Sequence, residues 1–186
     1  MPDTLTLYRV LPWLEEAGLG EPGHPLYVRT PQGSGRVDNP EHYQVLYASD
    51  SFAGAIAEAF GNFTTWTVEL LQGPPSLPGS MRALATYAMG GKPILDLDDP
   101  AVLHERRLKP SAVVTRDRAV TQAWALEIFR ERRWSGSRWW SYYKPEWGSC
   151  GVWNHEGLEV QAVVPLLKRA DLVRQTAAEI VRLWQG

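Results

Sequence analysis

The sequence predicts a single α+β domain, a mixed sheet of short strands with flanking helices, expected to span residues 1–186. Two patterns carry that expectation. Short runs such as Leu5–Val10 and Thr64–Leu70 alternate apolar and polar residues, the mark of half-buried strands. Between such runs, segments such as Phe52, Ala55, Ile56, Ala59 and Phe60 repeat at helical spacing. With 186 residues, 44% hydrophobic and 22% charged, the chain is long and apolar enough to bury one core.

Taken in order, Leu5–Val10 reads as a strand with Arg9 on the same face as Leu5 and Leu7. An arginine there snorkels, pairs with a carboxylate, or binds an anion. Ala17–Asn39 is a Gly- and Pro-rich connection containing GSGR, long enough to suggest a working loop. The triplet fits neither the phosphate-loop nor the dinucleotide glycine pattern. Tyr43–Ala48 reads as a strand, and Ser49–Asp50–Ser51 supplies cap chemistry for the helix that follows. Glu58 flanks that helix's apolar stripe, either as a solvated side chain or as part of a cleft.

Thr64–Leu70 is expected as a strand with Trp66, Val68 and Leu70 inward, and Gly73–Gly79 as a loop. Arg82–Ala88 and Ile94–Leu97 read as strands. Asp98, Asp99 and Pro100 announce a helix. Asp117 to Arg132 reads as a helix with Val120, Ala123, Trp124 and Ile128 on one face. Trp134–Trp153 holds five tryptophans and two tyrosines, as core, interface, or a wall for a flat ring. Glu159–Pro165 reads as a last strand, followed by an amphipathic helix running from Val173 to Trp184.

The totals narrow the functions. A net charge of −2 gives no electrostatic reason to expect direct nucleic-acid binding. The lone Cys150 allows no internal disulfide, which fits a reducing cytoplasm. MPDTLTLYRVLPW lacks the pattern of a signal peptide, and no apolar run is long enough to span a membrane. The expectation is a cytoplasmic protein away from membranes. His24, His42, His104 and His155 are scattered and form no metal motif. Cys150 has His155 five residues on, but a lone cysteine in an apolar strand is more simply buried.

What remains is a set of polar residues in order. Tyr8–Arg9 is an early YR pair. GSGRVDN is a glycine turn with arginine and asparagine. VLYASDSFAGAIAE is a VLY strand and a helix ending in AxxE. GSRWWS is followed by a GVWN strand. Together they resemble the RES domain family, from Tyr8 to Asn154. That resemblance implies an ADP-ribosyltransferase-like fold and an enzyme acting on NAD+. Its relatives are toxins of bacterial toxin–antitoxin pairs that break the nicotinamide–ribose bond by hydrolysis or phosphorolysis. It also implies silencing by a DNA-binding antitoxin, and no cofactor beyond NAD+ as substrate.

By position, the resemblance makes Arg36, Glu58 and Ser141 catalytic, and makes Arg36, Tyr47, Ser141 and Arg9 substrate-binding. Val37 stands where the family commonly has an aromatic residue, which would alter one wall of the pocket. Physically, departing nicotinamide leaves a ribosyl cation that a fixed carboxylate stabilises. Two other readings use the same scaffold, a transferase that places ADP-ribose on a protein and an interaction module without turnover.

Overall fold

The computed structural model describes residues 5–153 and 155–186. Met1–Thr4, the start of the segment read for a signal peptide, and Asn154 of the GVWN piece lie outside the described residues. Among them, nine strands and five α-helices alternate along the chain: β1 (Leu5–Trp13), β2 (Leu46–Ser49), α1 (Phe52–Phe60), β3 (Thr65–Thr67), β4 (Met81–Met89), β5 (Ile94–Asp96), α2 (Pro100–Glu105), α3 (Pro110–Val114), α4 (Arg118–Arg130), β6 (Gly136–Trp140), β7 (Gly148–Val152), β8 (Leu158–Pro165), α5 (Ala170–Glu179) and β9 (Leu183–Gln185).

Seven strands form one sheet in the order β5-β6-β7-β2-β1-β4-β8. β5 and β6 run parallel, and the other pairs antiparallel. The longest ladder joins β1 to β4 from Leu5↔Met89 to Trp13↔Met81. One face buries Leu7, Leu11, Tyr87, Cys150 and Val152 under the connection carrying Leu26 and Val28. The other face carries two clusters. One packs α1 and α5 around Ile56, Phe60, Trp66 and Val173. The other packs α3 and α4 on Val45, Trp139 and Trp153. The result is the expected α+β architecture.

Local chemistry explains the helix starts. Ser51 accepts from Gly54 N at α1, Asp99 from Ala101 N at α2, and Asp117 from Ala119 N at α4. Three expectations shift. The strand expected over Thr64–Leu70 stops at Thr67 and continues as a 3₁₀ turn, because its strand partner, β9, is only three residues long. Trp66 is fully buried, but Val68 is exposed.

The helix expected to reach Trp184 ends at Glu179. Val181 turns the chain at φ 55°, Arg182 donates to Gly61 O, and Leu183–Gln185 pairs in parallel with β3. The buried stripe of α4 is Thr121, Trp124, Ala125 and Ile128, so Val120 and Ala123 face outward.

Gly54 marks the tight seam between α1 and the sheet. A Cβ there would collide with Ser49 Oγ. That hydroxyl donates to Gly148 O at 2.7 Å and accepts from Ser51 N at 3.2 Å, which fixes its place. Helix propensity alone favours alanine over glycine by about 1 kcal/mol. Gly54→Ala is nevertheless expected to lose about 1–3 kcal/mol through overpacking. A urea midpoint shifted upward would show that the seam can open.

Candidate active site

The two clusters on the α1 face leave a cleft between them of about 740 Å3. That volume lies in the usual range of ~300–1,000 Å3 for small-molecule sites. Its floor is the sheet, where Tyr8, Tyr47, Ser49, Trp139 and Ser149 share the face. One wall is α1 with Ala55, Glu58 and Ala59. The other carries Arg36, Val114, Arg116 and Arg118.

Glu58 leaves α1 on its exposed side. Ser141 Oγ donates to Glu58 Oε1 at 2.9 Å, and Ser149 Oγ donates to the same oxygen at 3.2 Å. Among the described residues no hydrogen bond reaches Oε2. The carboxylate, which lines the cleft, is thus anchored through one oxygen alone. Ser141 is itself fixed, because it accepts from Tyr143 N at 3.2 Å. Ser135 and Ser137 are buried elsewhere in the same aromatic run. The negative charge of Glu58 adds to burial in pushing the Tyr143 phenol upward.

Arg36 sits in a braced turn. Asp38 Oδ2 accepts from Gly33 N at 2.8 Å and Gly35 N at 2.7 Å, and Tyr47 OH donates to Asp38 Oδ1 at 2.6 Å. Val37 N donates to Tyr47 OH at 3.1 Å. Gln122 from α4 donates to Gly33 O and Gly35 O. A Cβ at Gly35 would collide with Tyr47 OH, so glycine is required there. Burial raises the Tyr47 phenol, and its bond to Asp38 adds to this. Its hydroxyl is committed to the turn, and the ring is what the cleft receives.

The Arg36 guanidinium donates to Val113 O at 2.7 Å and Thr115 O at 3.0 Å, and lies 5.8 Å from the Trp139 ring centre. Burial lowers it from the ordinary arginine value and Arg118 lowers it further, opposed by Glu58 and Tyr47.

The structure therefore brings Arg36, Tyr47, Glu58 and Ser141 to one cleft. Arg9 also borders the cleft through its place in β1, but its guanidinium lies on the other side of the sheet. Arg9 pairs with Ala85 on the Leu7 face, and its guanidinium donates to Pro25 O and Tyr27 O beneath the sheet. The strand period decides this, because the face that buries Leu7 is not the cleft face. Val37 also departs from expectation. It is fully buried in the core beside Gly151 and does not line the cleft, so its shape does not set a pocket wall. Cys150 points into the opposite core, where burial pushes its thiol up.

Ser149, Asp38, Arg116 and Arg118 were not singled out by sequence. Two arginines flanking the helix cap Asp117 were a usable signal, since cations are disfavoured at a helix N-terminus. Among the described residues, no group of three or more His, Cys, Asp or Glu stands close enough to hold a metal ion. No helix among them is long and apolar enough to cross a membrane.

Fold and cleft together define an α+β domain with a pocket of small-molecule size, acidic on its helix wall and basic on the facing wall. The chain belongs to the RES domain family, whose sequence model matches residues 6–174. Its fold is similar to that of a chain in the crystal structure of the M. tuberculosis MbcT–MbcA toxin–antitoxin complex. The two are 17% identical with a TM-score of 0.58, over 90% of this chain and 88% of that one. No curated protein matches the sequence.

Tyr47→Phe is expected to leave Asp38 Oδ1 and Val37 N without their partner and to lose about 1–3 kcal/mol of stability. Urea unfolding reads this directly. An unchanged midpoint would mean the hydroxyl does not brace the turn.

Proposed function

We propose that this domain is an NAD+-consuming enzyme that cleaves the nicotinamide–ribose bond, with water or phosphate as acceptor. The observation that carries this reading is the charge division of the cleft. Glu58 stands on one wall and Arg36 on the facing wall. NAD+ has the complementary layout, a cationic ring and reacting ribose at one end and a diphosphate beside them.

In this reading Arg36 binds the diphosphate, for which a planar fork suits better than a lysine. The Tyr47 ring packs against the nicotinamide. Loss of nicotinamide, which takes the bonding pair with it, leaves a ribosyl oxocarbenium ion beside Glu58. Two unit charges 4 Å apart interact by about 4 kcal/mol at an effective dielectric near 20. That corresponds to at most roughly 10³ in rate, and only the part exceeding ground-state stabilisation counts. Ser141 and Ser149 keep the carboxylate in place, so little reorganisation is needed as charge develops. The acceptor oxygen then adds to the ribose carbon, a water giving up its extra proton to solvent and a phosphate adding through an anionic oxygen. The buried Cys150 thiol takes no part.

The fold neighbour's toxin–antitoxin context supports a matching partner here. We take that partner to be a DNA-binding antitoxin that covers the cleft, and the setting to be cytoplasmic, where NAD+ is plentiful.

Purified protein incubated with NAD+, with and without phosphate, and followed by NMR is expected to release nicotinamide. ADP-ribose marks hydrolysis, ADP-ribose 1″-phosphate marks phosphorolysis, and label on a protein marks transfer. Intact NAD+ in antitoxin-free protein overturns the reading. Glu58→Gln is expected to slow turnover by up to roughly 10³ without changing the melting temperature. Full activity in that variant removes Glu58 from the chemistry. Ser149→Ala is expected to lower kcat roughly tenfold with little change in KM, as loss of one hydrogen bond to a charged group implies. Equal changes in both constants would mean that the serine acts on binding instead.

A further inference from the structure

The basic wall holds more charge than the protein itself balances. Arg36, Arg116 and Arg118 all line the cleft, and none of them joins an ion pair among the described residues. Arg138, outside the cleft, shows the contrast, since Asp50, Asp96 and Asp98 all bind it.

Of the three, Arg118 alone holds a buried donor without a partner. Its Nε donates to Ser34 O at 3.0 Å, while its Nη1 is buried with no hydrogen-bond partner. A buried donor without a partner carries the desolvation penalty of that group. Arg118 is also the first residue of α4, where the helix dipole disfavours a cation. It further repels Arg36 across the same wall. One kind of ligand relieves all three penalties, an anion with several oxygens.

We propose that Arg118 and Arg36 together form a two-guanidinium seat for a diphosphate group, with α4 supplying the second half of the site. Each arginine is pre-positioned by backbone carbonyls on a different element, Arg36 by Val113 and Thr115 and Arg118 by Ser34. Each keeps donors beyond those bonds. Two forks fixed at separate places match two linked phosphates better than a single one. This rests on the reading of the cleft as a dinucleotide site, but it is tested by binding rather than by turnover.

Calorimetric titrations of the full chain with pyrophosphate, ADP, orthophosphate and adenosine make the test. Wild-type protein is expected to bind pyrophosphate and ADP more tightly than orthophosphate. Arg118→Gln is expected to weaken pyrophosphate and ADP by roughly 10–100-fold, leaving adenosine unchanged, with Arg118→Lys in between. Pyrophosphate binding by Arg118→Gln at wild-type strength overturns the proposal, as does a wild type that prefers orthophosphate. So does an equal loss in the Gln and Lys variants together with a lowered melting temperature, which would mark Arg118 as a brace for Ser34 only. Tight pyrophosphate binding by a protein that leaves NAD+ intact supports the seat and overturns the dinucleotide reading. Turnover of NAD+ with pyrophosphate binding indifferent to Arg118 does the reverse.

Discussion

The antiparallel pairing of β2 with β7 is the constraint on which the cleft depends. Its register sets Tyr47 opposite Gly151 and Ser49 opposite Ser149. It joins the half of the cleft carrying Arg36, Tyr47 and Glu58 to the half carrying Ser141 and Ser149, across 83 and 91 residues from Glu58 to the two serines. A slip by one residue would turn Ser149 to the far face and aim Cys150 at Glu58. The glycines along this seam allow the pairing to be close. Gly151 leaves room for Val37, and Gly148 for Arg138 and Asp50.

The turn that carries Arg36 is held in the same spirit. One buried carboxylate, Asp38, accepts from two backbone amides and one phenol. Bonds from N–H and O–H groups offset the desolvation of a buried charge. The turn therefore presents its arginine from a rigid base although its sequence is rich in glycine. Arginine and glutamate reach the cleft from opposite walls, where they sense one another's charge without forming an ion pair.

Much of this architecture is written locally. β1, α1 and its Ser51 cap follow from alternation, helical spacing and one short side chain. Arg36, Tyr47 and Glu58 stand out because they fall within one short stretch between a glycine turn and a capped helix. Other features depend on contacts far along the chain. β9 has an amphipathic helical pattern, yet Arg182 binding Gly61 O and the pairing of Leu183 with Thr65 turn it into a strand. Ser149 gains its contact with Glu58 from sheet register, which no local pattern encodes. Arg9 and Val37 occupy motif positions, but strand phase turns the Arg9 guanidinium to the other face and core packing keeps Val37 out of the cleft.

The wide chain separation across the β2–β7 ladder has a consequence for synthesis. During translation, α1 and its glutamate emerge early, while the serines that hold the carboxylate follow more than 80 residues later. Until β7 leaves the ribosome and slots between β2 and β6, the sheet has a gap at its centre and the cleft has an incomplete floor. The cleft is therefore complete only once the last of its strands has docked.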